Sequence, residues 1–87
     1  MNYKSHFKKR IKQRYGFKIN RKDYYNIISL IKKGRAIFVE PSYGDRTIHI
    51  VLFKGKSIKV VYDAVKELLI TALNIQKSDI KLIQEVL

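Results

Sequence analysis

Cysteine and tryptophan are missing from this chain of 87 residues, and proline occurs once. The lack of cysteine excludes disulfides and thiolate zinc sites, and it leaves the redox compartment unreadable. No apolar run approaches the roughly 18 residues of a membrane span. The N-terminus is too basic and too interrupted for a secretion signal, so a cytoplasmic protein without membrane contact is expected. The four glycines, Gly16, Gly34, Gly44 and Gly55, are not gathered into a phosphate-cradling loop, and each falls where a turn explains it. The two histidines, His6 and His49, stand far apart among scattered acids, which excludes a metal constellation. No Ser-His-Asp or Cys-His arrangement and no pair of acids for glycoside chemistry can be argued. No cofactor is expected.

Acid is also scarce, and unevenly so. The chain carries a formal net charge of +12, from 19 lysines and arginines against 7 acids. Residues 1–35 hold twelve of the cations against a single acid, Asp23, whereas the remainder is close to balanced. A positive field concentrated on one end suits a polyanion, above all a nucleic-acid backbone. An acidic protein partner and simple solubility are the other readings.

What is present makes one small α+β domain over residues 1–87, too short for two cores. Residues 2–15 read as a helix in which Tyr3, Phe7, Ile11 and Tyr15 form a narrow apolar stripe. His6, Arg10 and Arg14 form a second stripe beside it, and Gly16 stops the helix. The second helix starts at an Asn20 cap with Asp23 placed for a capping box and Ile19 placed to staple onto Tyr24. Tyr24, Ile27, Ile28 and Ile31 give it a core-facing pattern, and it ends at Gly34. Strands follow at Arg35–Glu40, Thr47–Phe53, Ser57–Tyr62 and Leu68–Leu73, with Lys54-Gly55-Lys56 as a hairpin signal. Ser78 is placed to cap a short last helix, with Ile80, Ile83 and Leu87 on one face. Short loops between consecutive strands imply an antiparallel meander, with the two N-terminal helices packed on its aliphatic face.

Alternation along the strands sets Ile48, Ile50 and Leu52 against His49, Val51 and Phe53. It likewise sets Ile58, Val60 and Tyr62 against Lys59 and Val61, and Leu68, Ile70 and Ala72 against Leu69, Thr71 and Leu73. One face is then almost wholly aliphatic and goes under the helices. The other, with His49, Lys59 and Thr71, is expected to stay open as a platform.

The residues left with chemistry to offer are His6, Arg10, Arg14, Arg46, His49, Lys59, Tyr62 and Thr71. Metal-free cleavage of RNA needs little more. The substrate supplies its own 2′-hydroxyl as nucleophile, a histidine near neutrality serves as acid or base, and arginine clamps the phosphate oxygens with a forked pair of hydrogen bonds. Each residue also has a plainer reading. His6, Arg10 and Arg14 are ordinary for a solvated helix face, Thr71 is a good strand former, His49 suits a half-buried strand, and Tyr62 suits the rim of a core. Tyr25 points away from its helix's apolar stripe and could stack on a base.

The stretch His6-Phe-Lys-Lys-Arg10, followed by Arg14-Tyr-Gly-Phe-Lys-Ile-Asn-Arg-Lys-Asp23-Tyr24 and the closing Leu69-Ile70-Thr71-Ala72-Leu73, resembles the barnase–EndoU–colicin–RelE-like superfamily of small metal-independent ribonuclease folds. Within it the closest look is to small domains of phages and mobile elements, over roughly residues 3–74. The resemblance implies a curved four-stranded sheet whose open face binds RNA, with His6, Arg10 and Thr71 as carried-over site positions.

The expectation is therefore an RNA-binding protein of RelE-like type, a metal-independent endoribonuclease that is a toxin or phage-encoded. His6, Arg10, His49 and Thr71 are the catalytic candidates. Lys8, Lys9, Arg14, Lys18, Arg46 and Lys59 are the candidates for holding RNA or another nucleic acid. An acidic antitoxin or inhibitor protein would be the partner of a toxin. The alternative is a non-catalytic basic module that binds nucleic acid or a ribonucleoprotein, as a phage inhibitor of a host complex would. A third possibility is an interaction domain that takes an acidic peptide by strand addition.

Overall fold

The computed structural model describes residues 2–86. Helix α1 runs Tyr3–Tyr15; the Asn2 side chain accepts the Ser5 N–H, and Gly16, at φ 78°, returns its own N–H to the Lys12 carbonyl. That left-handed cap is strained for any residue with a Cβ, which is why glycine stands there. Helix α2, Arg21–Lys32, opens on the anticipated capping box. Asn20 Oδ1 accepts the Asp23 N–H at 2.8 Å, and Asp23 Oδ2 accepts the Asn20 N–H at 3.1 Å.

Four strands follow, β1 (Ile37–Pro41), β2 (Arg46–Phe53), β3 (Lys56–Asp63) and β4 (Leu68–Leu73), joined in the order β1-β2-β3-β4 with every pair antiparallel. β1 runs one residue past the expected end at Glu40, through Pro41, and an edge strand tolerates the missing N–H. Lys54 and Gly55, both at positive φ, make the two-residue turn whose twist suits a β2–β3 hairpin. The β3–β4 loop closes on Asp63 Oδ1, which accepts the Val65 and Lys66 N–H groups. Helix α3, Lys77–Val86, completes the α+β fold: two N-terminal helices on a four-stranded meander, with a short C-terminal helix. Among the described residues no helix is long and apolar enough to cross a membrane.

The main core lies between α1, α2 and one face of the sheet. Phe7, Ile11, Tyr24 and Ile27 meet Val51, Phe53, Ile58, Val60, Tyr62, Leu69 and Ala72 there. Two of the expected face assignments are corrected by this. In β2 it is Val51 and Phe53 that turn toward the helices, together with His49, while Ile48 and Ile50 turn the other way. Both alternating sets of β2 are apolar, so alternation fixes the pleat but not which side is covered. In β4 a bulge interrupts the period. Thr71 pairs with Val61 and Leu69 with Tyr62, so Ile70 is the extra residue. Leu69 and Ala72, three apart, therefore share the helix-facing side.

The second face is not an open platform. Its floor of Ile48, Val61 and Ile70 is buried beneath Tyr3, Val39, Leu68 and Leu73. Farther along, α3 lies across it, and Ile83 and Val86 border an apolar cavity of about 220 Å³ with Ile50 and Leu52. The anchor of α3 is Asp79. Its carboxylate receives the Gln76 N–H at 2.8 Å and the Lys59 ammonium at 2.8 Å. Gln76 therefore caps the helix, and Ser78, the expected cap, lies inside it. Ile80 is half exposed, and Leu87 lies outside the described residues.

Side chains of α1 and α2 also close the backbone of β4, the strand at the sheet's other edge. Arg14 Nε donates to the Ala72 carbonyl at 2.8 Å. The Tyr15 hydroxyl accepts from the Lys59 N–H and donates to the Leu73 carbonyl. The buried Tyr24 hydroxyl accepts from the Leu69 N–H at 3.0 Å and donates to its carbonyl at 3.3 Å. The Tyr15 hydroxyl thus extends the β3–β4 ladder, and Arg14 and Tyr24 engage backbone groups of Ala72 and Leu69 on this edge strand.

Candidate nucleic-acid interface

The stripe His6–Arg10–Arg14 runs along α1 beside the buried Phe7 and Ile11, and all three of its residues are half-buried. Helical spacing sets them on one flank, and packing of α1 along β4 brings that flank to the strand. His6 Nε2 lies 3.2 Å from Thr71 Oγ1, within hydrogen-bonding distance across 65 positions of sequence. Arg10 is next on the stripe and bonds only to the exposed Gln13 side chain at 3.2 Å. Arg14 is drawn in to the Ala72 carbonyl. At the other end Tyr3 receives Arg46, whose Nη2 is 3.4 Å from the Tyr3 hydroxyl and whose guanidinium carbon lies 5.8 Å from the ring centre. Asp63 holds Arg46 loosely, at 4.0 Å.

His6, Arg10, Thr71, Arg14 and Arg46 are thus placed around the head and one flank of α1. His49 and Lys59 are not. His49 lies on the helix-facing side of the sheet, bonded to Thr47 Oγ1 at 2.8 Å and set edge-on between Phe38 and Tyr62. Burial pushes its pKa below the ordinary histidine value. Lys59 is on the face opposite His49, only 12% exposed, and committed to Asp79. Burial would raise the Asp79 pKa, but the Lys59 ammonium and the Gln76 N–H together outweigh it and hold the carboxyl below its ordinary range. Lys8, Lys9 and Lys18 are at the surface, Lys9 and Lys18 exposed and Lys8 half-buried.

The distribution of ion pairs is the electrostatic core of the site. Among the described residues the pairs are Lys32–Glu67, Arg46–Asp63, Lys54–Asp23 and Lys59–Asp79. Three of these four cations belong to the nearly neutral part of the chain. Among the described residues none of the cations of α1, Lys4, Lys8, Lys9, Arg10, Lys12 and Arg14, meets a carboxylate. The one acid of residues 1–35, Asp23, is occupied by the Asn20 N–H and by Lys54 from the β2–β3 turn. Uncompensated charge on one helix gives a local positive potential that any neighbouring acid would cancel.

The sequence did not reveal that three residues singled out for function or core are backbone ligands of β4 or ladder inserts: Arg14, Tyr15 and Tyr24. Nor did it reveal the partner of Lys59, twenty positions downstream. The available signal was Asp79 itself, an acid in the first turn of a short helix. Comparison of the chain with protein-family models, with curated proteins and with solved structures gave no significant match.

Proposed function

We propose that this protein binds RNA through the cationic flank and head of α1, with His6, Arg10 and Thr71 at the backbone phosphate. The observation that supports it is the set of α1 cations that have no carboxylate partner among the described residues, lying beside the His6–Thr71 contact. An exposed cation without an acid is free to exchange its counterion for a phosphate, and release of those counterions drives association. Arg10 offers a fork of N–H donors that suits phosphate oxygens. Lys8, Lys9, Lys12 and Lys18 add charge around it. A place in the barnase–EndoU–colicin–RelE-like superfamily is proposed on the same residues, and an acidic protein that neutralises α1 would compete with RNA for this surface.

Metal-free cleavage is the second reading, and the His6–Thr71 contact is the observation in its favour. Thr71 would fix the imidazole ring, His6 would exchange a proton with the 2′-hydroxyl or the leaving 5′-oxygen, and Arg10 would neutralise the phosphorane. His49 lies away from this flank, so one of the two proton transfers would go through solvent. Binding is therefore the better-supported reading.

The test is direct. Fluorescence anisotropy with a labelled RNA should show binding that weakens steeply between about 50 mM and about 200 mM salt. Affinity that does not respond to salt would rule the proposal out. Incubation of the same RNA with the protein in EDTA separates the two readings. Products with cyclic phosphate ends that disappear in His6→Ala support cleavage, and intact RNA leaves binding alone.

A further inference from the structure

Tyr25 is an aromatic residue that the main core does not use. It is 43% exposed on α2, and its ring is set edge-to-face against Tyr24, with ring centres 5.4 Å apart. Tyr24 is itself fully buried and held edge-to-face by Phe7. The outermost ring of this row is therefore backed by two fully buried rings. Two cations from different helices approach it, Lys4 Nζ at 4.8 Å and the Arg21 guanidinium at 5.9 Å from the ring centre. Neither has a carboxylate partner among the described residues. The Lys4 ammonium, with Arg21 behind it, pulls the phenol's pKa down.

Resting on the RNA-binding reading, we infer that Tyr25 is a stacking platform for one unpaired base of the bound strand, with Lys4 and Arg21 taking the flanking phosphates. Every base has a π-face, so such a platform selects single strands over duplexes without reading sequence. In the free protein the two cations rest on the ring. Both are on long, flexible stems, and an arriving phosphate draws their charged ends aside while the base takes the vacated face. An exposed cation–aromatic contact is weaker than a stacked base, so the exchange favours the complex. The geometry also links the platform to the His6 flank. A shallow depression at the head of α1 is bordered by Asn2, Tyr3, Lys4 and Leu68. Lys4 belongs to the Tyr25 side, and Tyr3 carries Arg46 on the other. A strand crossing the head of α1 meets cations on both sides.

The experiment compares three ligands of equal length, a single-stranded RNA, the same strand with abasic positions, and its duplex, by anisotropy against the parent, Tyr25→Ala and Tyr25→Phe. The parent should prefer the single strand to both other ligands by about tenfold, the worth of one stacked base. Tyr25→Ala should remove that preference and leave duplex affinity and the salt slope unchanged. Tyr25→Phe, which keeps the ring, should stay close to the parent. Equal affinity of the parent for intact and abasic strands overturns the platform, and this comparison does not depend on any variant folding. So does a Tyr25→Ala loss that is the same on all three ligands, the mark of a residue that merely ties α2 to α1. A parent that binds none of the three overturns the RNA-binding reading and this inference with it, whereas binding without base preference removes only the inference.

Discussion

Lys59 tests whether charge in this protein serves the fold or the ligand. Its side chain is 12% exposed and that of Asp79 3%, and their 2.8 Å contact ties α3 to the second face of the sheet. Replacing Lys59 by methionine keeps most of the stem's volume and strands the Asp79 carboxylate, which retains only the Gln76 N–H. Breaking a buried pair from one side costs about 3–5 kcal/mol. The surviving N–H bond argues for the lower end. A domain of this size has roughly 4–13 kcal/mol in total, and each kcal/mol moves the melting temperature by about 4–8 °C. Lys59→Met should therefore lower Tm by about 15 °C, measured by circular dichroism. The double variant Lys59→Met with Asp79→Asn should recover most of that, because it removes the buried charge and keeps an acceptor for the Gln76 N–H. RNA affinity of the folded protein should not change in either. A variant with the parent's Tm and weaker RNA binding would refute this and return Lys59 to the interface.

The other expectations are brief. Tyr24→Phe keeps the ring and removes the hydroxyl that serves both backbone groups of Leu69; leaving them unmade in a buried site should cost about 2–4 kcal/mol, read by urea denaturation, with a loss below about 0.5 kcal/mol for the exposed Tyr25→Phe as the control. His49, whose pKa burial lowers, holds its proton less tightly folded than unfolded. The stability of its neutral form is thus present above the ordinary histidine pKa and is lost as pH falls through it. Tm should decline from about pH 7 to about pH 5 in the parent and less steeply in His49→Gln.

Much of the fold is legible where local chemistry dictates the answer. The Asn20–Asp23 reciprocal cap, the glycine after Tyr15 and the Lys54-Gly55 turn each satisfy a constraint that few residues meet, so these boundaries follow from composition. The sides of the sheet are a different matter. Ile48-His49-Ile50-Val51-Leu52-Phe53 is apolar in both alternating sets, and only the placement of α1, α2 and α3 decides which set meets which helix. The Ile70 bulge then breaks the two-residue period that the reading of β4 relied on. The site follows the same division. His6, Arg10 and Arg14 share a flank because helical spacing requires it, and the Thr71 contact joins them through packing of α1 along β4. The expectation of one shared open face for His49 and Lys59 fails because His49 pairs with Val60, which puts Lys59 on the opposite side, where Asp79 of α3 takes its ammonium.

The central claim is that the unpartnered cations of α1 hold a polyanion. The most direct measurement is the slope of log affinity against log salt for a single-stranded RNA, taken for the parent and for Lys8→Gln/Lys9→Gln/Lys12→Gln. Each phosphate neutralised contributes about −0.7 to the slope, so the triple variant should be shallower by about 2, with Tm unchanged because none of the three lysines has an ion-pair partner among the described residues. An identical slope in the two proteins would contradict the account.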